Sequence, residues 1–239
     1  MNEPLHILAV TAHPDDAELL MGGTLARASS EGKRVGVLDL TRGESGTKGD
    51  AGLRAKEAER ASEILGLALR ENLGLPDGRI ERSPQNRILL AERIAVLRPE
   101  VLLVHRAGGR NPDHHAASVL AREAAYTAGL VRLAGGAQAH RPRKIAEALS
   151  FLPDPPTVVV DITPSFDAKM RALRAYESQF EGAMEAGDIL SNGRDDLFAR
   201  VTFHAQHYGA LVQVPYGEPY FIPEPILVDD LLALRARSL

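Results

Sequence analysis

Short apolar runs alternate with stretches of helical period along this chain, and that alternation constrains its fold more than any other feature. The runs cover residues 5–10, 34–40, 101–105 and 158–162, each long enough for one strand. Parallel strands cannot be joined by tight turns, so strand, helix and strand in succession imply a parallel sheet with crossover helices. The expected fold is α/β, a single-domain Rossmann-like architecture. Its mainly parallel twisted sheet would carry helices on both faces and occupy residues 1–239.

Helical spacing is clearest over residues 54–65, where Ala55, Ala58, Ala61, Ser62 and Leu65 share a face and Gly66 follows as a stop. A second helix is expected over 112–128, from the stripe Ala117, Leu120, Ala121, Ala124, Ala125 and Ala128. Residues 168–180 and 195–208 read as helices, while 153–156 and 214–225 read as proline-punctuated connections. The glycine-rich stretch 41–52 lacks apolar periodicity and reads as a long loop, either a lid or binding loop or a plain flexible connection.

A net charge of −4 argues against a nucleic-acid partner, which normally requires a clustered basic face. The N-terminal apolar run is too short to span a membrane and has no signal-type cleavage site, so the expectation is a cytoplasmic chain without a membrane partner. No cysteine is present, so any metal must be held by imidazole and carboxylate. Neither a G-x-G-x-x-G nor a Walker pattern follows the first strand, which disfavours a nucleotide-binding protein.

Directly after the first strand stand His13, Asp15 and Asp16, crowded where strand hands over to helix. Helix capping accounts for an aspartate there but not for His13, and a bound cation reconciles the cluster. A second histidine-bearing loop follows the strand at 101–105 and ends in Asn111, Pro112, Asp113, His114 and His115. Helical phase turns His114 inward with Ala117 and Ala121 and leaves His115 toward water. His13, Asp16 and His114 then form two imidazoles and a carboxylate with one position open for water, the donor set of a catalytic zinc site, although Fe2+ suits it too. This requires the imidazoles of His13 and His114 to lie within about 5 Å. Asp15 is the candidate general base, with capping as its alternative.

The segment AHPDDAE after the first strand and the later PDH resemble the LmbE/PIG-L metal-dependent deacetylases. LHILAVTAHPDDAELLMGGTLA, LRAKEAERASEILG, NPDHH and AYESQF fall in the order that family has. Within it the pattern is most similar to the bacillithiol-biosynthesis deacetylase acting on N-acetylglucosaminyl malate. The resemblance implies that His13, Asp16 and His114 ligate zinc, that Asp15 is the base and that Arg54 meets a malate carboxylate through its bidentate fork. It also implies a small-molecule amino-sugar partner and a homo-oligomer. Conjugates of the chitobiose or inositol type carry the same acetamide, and a noncatalytic metal- or sugar-binding module is the reading from another class.

Three of these residues have structural alternatives. Arg54, a cation in a helix first turn, calls for an anionic neighbour, either substrate or Glu57 or Glu59. Asn111 stands where the family usually has histidine, so it is either an oxyanion donor or a helix cap before Pro112. Asp113 either supports a metal-bound imidazole or complements the helix dipole. The remaining histidines, including His105, His204 and His207, have no carboxylate fixed beside them by sequence and are not assigned to metal.

Overall fold

A computed structural model describes residues 3–46, 50–108, 110–136, 138–151, 154–180, 197–233 and 235. The strands are β1 (Ile7–Thr11), β2 (Val35–Thr41), β3 (Leu69–Leu75), β4 (Val101–His105), β5 (Lys144–Ala148), β6 (Val158–Asp161) and β7 (Gly217–Phe221). The helices are α1 (Asp16–Ser30), α2 (Ala51–Leu65), α3 (Pro84–Leu97), α4 (Pro112–Ala128), α5 (Phe166–Arg174), α6 (Glu177–Phe180) and α7 (Leu197–Leu211). The seven strands form one sheet in the order β3-β2-β1-β4-β5-β7-β6. Pairing is parallel from β3 through β5 and antiparallel on both sides of β7.

Alternation along the central strands explains why both faces are covered. Leu8, Val10, Leu38, Leu40, Leu102 and Val104 face α3 and α4, while Ala9, Val35, Val37 and Leu103 face α1. Successive strand residues point to opposite faces, so a strand buried on both must be apolar throughout. This is the expected architecture, a mainly parallel α/β sheet with helices on both sides.

Helix α4 spans the residues its alanine stripe marks, closed at its start by Asn111, whose Oδ1 accepts the Asp113 N–H. Helix α2 begins earlier than expected, because the Asp50 side chain accepts the Leu53 N–H and so draws Ala51 and Gly52 into the first turn. The loop before it is correspondingly shorter, and its residues 47–49 lie outside the described residues. The helix expected over 168–180 is broken at Ala175 and Tyr176 into α5 and α6.

The connection expected over 214–225 contains β7, a correction to the reading of its prolines. Pro219 has no N–H to give, but its carbonyl accepts the Leu149 N–H and it pairs opposite Val159. Helix α7 is described from Leu197 onward, and residues 195 and 196 of the segment read as helical lie outside the described residues, as does 153 of the expected connection over 153–156. Among the described residues no helix is long and apolar enough to cross a membrane.

Candidate active site

In an open α/β sheet, ligands bind beyond the carboxyl ends of the strands where strand order reverses, here between β1 and β4. The loop leaving β1 carries His13, Asp15 and Asp16, and the start of α4 carries Asn111, Asp113 and His114. All six line one cavity of about 360 Å3 together with Arg54, Asp77 and the loop residues Ser45 and Gly46. His115 is exposed, as its helical phase requires. A larger groove of about 600 Å3 between α2 and β3 is lined by Asp39 and Arg70. Those two charges pair with each other at 2.8 Å, and among the described residues the groups of metal-ligating side chains all include His13 rather than residues of this groove.

One donor atom from each of His13, Asp16 and His114 lies within 4.8 Å of the others. His13 Nδ1 is 3.3 Å from Asp16 Oδ2, and His114 Nε2 is 3.1 Å from Asp16 Oδ1. Neighbouring donors in a tetrahedral shell with bonds of about 2.0–2.1 Å stand about 3.3 Å apart; these two contacts, one to each carboxylate oxygen, are of that size, and the remaining separation lies within 4.8 Å, so the three side chains could share one divalent cation. The two ring centroids are 5.4 Å apart, slightly beyond the expected separation, but the donor atoms turn toward each other.

The second nitrogen of His13 faces carboxylates. Nε2 lies 3.1 Å from Asp77 Oδ1 and 3.4 Å from Asp113 Oδ2. These acids could form a second cation cluster with His13, but they are already engaged by main-chain donors. Asp113 accepts the Gly78 and Ile80 N–H groups, and Asp77 accepts that of Ser45. Their geometry therefore suits orientation of the imidazole.

Electrostatics follow from this crowding. Burial alone would lower the His13 pKa, but the hydrogen bond and charge of Asp16, helped by Asp15 and Asp77, outweigh it and raise it to about 9. Burial would raise Asp16, yet the imidazoles of His114 and His105 hold it well below the usual carboxylate range. Burial lowers His114 as well, but Asp16 overrides that and raises it. Asp15 is driven up to about 7 by burial and then by the Asp16 charge, against the opposing pull of Arg54. Several protonation equilibria are thus displaced within one small cavity, the pattern of a functional site.

Asp15 occupies the N-cap position of α1, but its side chain caps nothing. Its backbone has φ 108°, a left-handed conformation that costs a non-glycine residue of order 1–3 kcal/mol. The carboxylate instead accepts from Arg54, with Nη2 to Oδ2 at 3.0 Å. Arg54 is 6% exposed, and neither Glu57 nor Glu59 pairs with it. The anionic neighbour its place in α2 calls for is Asp15.

Several residues of this site escaped the sequence reading. Asp77 belongs to the turn Leu75, Pro76, Asp77, Gly78 at the end of β3, a turn signal that becomes informative only once that polar strand is recognised. His105 is 2% exposed, stacks on His114 at 4.2 Å and accepts the Ala12 N–H on Nε2. Burial lowers its pKa against the opposing pull of Asp16. His204 and His207 lie elsewhere, on α7, with His204 directed to the Ser150 carbonyl at 3.2 Å.

A family profile described as PIG-L, GlcNAc-PI de-N-acetylase, matches residues 8–125. The diacetylchitobiose deacetylase of Thermococcus kodakarensis is 30% identical in a 199-position alignment that covers 75% of this chain and 73% of that protein. The 1D-myo-inositol 2-acetamido-2-deoxy-alpha-D-glucopyranoside deacetylase of Actinosynnema mirum is 27% identical, over 87% of this chain and 92% of its own. Among solved structures, the conserved protein TT1542 from Thermus thermophilus superposes with a TM-score of 0.87 at 38% identity. That match covers 97% of this chain and 100% of TT1542.

Proposed function

This chain belongs to the PIG-L family of de-N-acetylases, and from that premise we propose that it hydrolyses the acetamide of an N-acetylglucosamine conjugate, with His13, Asp16 and His114 holding zinc. The observation that carries this reading is the donor triangle of 3.1 and 3.3 Å contacts, with the strained, uncapping carboxylate of Asp15 in the same cavity. Zinc in that triangle supplies Lewis acidity, polarising the acetamide carbonyl and acidifying the attacking water. Fe2+ suits the same donors.

Asp15 accepts the proton of the attacking water and returns it to the departing amine. Without metal, burial and the Asp16 charge hold its pKa up at about 7, and a bound cation would draw it down and leave the carboxylate ready to accept that proton. His13 is held by Asp77 and Asp113 behind it, so its Nδ1 stays turned toward Asp16. For Asn111, capping and oxyanion binding need not compete. Its Oδ1 is fixed by the Asp113 N–H, which leaves the Nδ2 amide to donate to the developing oxyanion.

Arg54 has five N–H groups, of which three serve Gly43, Asp15 and Gln179. Its Nε is buried without a protein partner. Arg54 lines the cavity and keeps one further N–H on Nη1, and we assign that corner to an acidic group of the aglycone, which favours the malate conjugate of bacillithiol biosynthesis. The diacetylchitobiose and inositol-linked conjugates named for the relatives are the alternatives. Steady-state kinetics on the three conjugates decide among them, and malate is expected to give the highest kcat/KM.

A noncatalytic metal- or sugar-binding module would have no use for a strained Asp15. Asp15→Asn should retain zinc while turnover falls by about 10²–10⁴-fold, the scale of general acid–base catalysis. Unchanged turnover with full zinc would refute the assignment of the base.

A further inference from the structure

The segment AYESQF resembles the family in sequence, and the chemistry above gives it no role beyond the Gln179 contact with Arg54. In the structure its helix, α6, is tied to α2 at two points. Ser178 donates its backbone N–H and its hydroxyl to the two oxygens of Glu57, both at 2.7 Å, and Glu57 is 7% exposed. One residue further on, Gln179 Oε1 accepts from Arg54 Nη2 at 2.7 Å, while Gln179 Nε2 donates to Ser178 Oγ at 3.0 Å. The amide orientation is fixed at both ends, because an arginine can only donate.

The same Arg54 Nη2 donates to Asp15 Oδ2, and Nη1 donates to the Gly43 carbonyl at 2.8 Å. Gly43 makes room for this: a Cβ built there would stand 1.7 Å from Arg54 Nη1. Three acceptors from three segments therefore fix one guanidinium plane, and only Asp15 among them is ionic. A long side chain held by Asp15 alone would keep rotamer freedom, and the carboxylate would share it.

We propose that Gln179 is a positioning residue for deacetylation: with Gly43 it fixes the Arg54 guanidinium that aims the Asp15 carboxylate at the attacking water. This rests on Asp15 being the base. The effect is expected in kcat, because misplacing a group that acts in the transition state slows chemistry without weakening ground-state binding.

Gln179→Met keeps the volume and removes the acceptor, whereas Gln179→Glu restores an acceptor at the same reach. Both are to be assayed by acetate release from N-acetylglucosaminyl malate and N,N'-diacetylchitobiose, with zinc content and melting temperature measured alongside. On N,N'-diacetylchitobiose, which offers Arg54 no carboxylate, Gln179→Met should lower kcat roughly tenfold with KM changed less than about twofold, on the malate conjugate KM should rise as well, and Gln179→Glu should recover most of the loss in kcat. In an Arg54→Met background, Gln179→Met should cost nothing more, because its route to Asp15 is already gone. Parental kcat in Gln179→Met, or an equal further loss in the Arg54→Met background, would overturn the proposal. If Gln179→Met does not fold, Gln179→Glu decides alone, since a kcat near parental supports the relay and a tenfold loss with parental melting contradicts it. Failure of the base itself is separate, because it appears as normal turnover in Asp15→Asn.

Discussion

Two buried charge clusters in this molecule are built on opposite principles. Under α1, Glu218 is 2% exposed and takes a complete set of donors: the Gly23 and Thr24 N–H groups, the Thr24 hydroxyl, Lys169 Nζ at 2.5 Å and the Tyr220 hydroxyl at 3.3 Å. At the ends of β1 and β4, Asp16, Asp77 and Asp113 crowd His13 and His114, and the cluster drives protonation equilibria in both directions. The first cluster is closed within the chain. The second leaves donor atoms facing one another, which is the arrangement of a site that takes a cation from outside.

The contrast is broken most severely by removing one member of each cluster. His114→Ala should lower turnover at least about a thousandfold, the scale of losing a stabiliser of transition-state charge worth ~4 kcal/mol, and should shift urea unfolding little. Lys169→Met should do the reverse. It strands the Glu218 charge and should cost about 3–5 kcal/mol of unfolding free energy. Equal effects of the two substitutions on stability would erase the distinction.

A smaller effect sharpens it. His13 has a folded pKa of about 9 against an ordinary 6.5, so without metal its contribution is fully present below pH 6.5 and lost as pH rises through about 9. Asp15, raised from 3.8 to about 7, acts in the same direction at lower pH. Metal-free protein should therefore lose roughly 1–2 kcal/mol of stability between pH 6.5 and 9, after allowance for solvent screening. Zinc binds deprotonated ligands, so saturating zinc should flatten or reverse that slope in thermal melts. The Lys169 and Glu218 pair is present in both forms and cannot produce such a difference.

How far the sequence reveals these features follows from local pattern. β1, β2 and β4 are apolar on both faces and stand out, as does the alanine stripe of α4. β3, with the residues LRENLGL, lies at the sheet edge and looks polar, and β5 alternates over only five residues. β7 is masked by a proline that its antiparallel register tolerates. In the site, His13, Asp16 and His114 are legible because each stands at a strand-to-helix junction, where ligands collect. Asp77, His105 and Gln179 are not, because each acts on the site through a tertiary contact, with His13, His114 or Arg54, that local pattern does not record.

If His13, Asp16 and His114 hold one catalytic divalent cation, metal and turnover must return together when protein stripped with chelator is titrated with zinc, with bound metal and acetate release followed in the parent and in Asp16→Asn. The parent should regain turnover in proportion to zinc, reaching its plateau at one ion per chain, and the variant should regain neither metal nor activity. Full turnover by metal-free protein, or parental zinc binding by Asp16→Asn, would contradict the account.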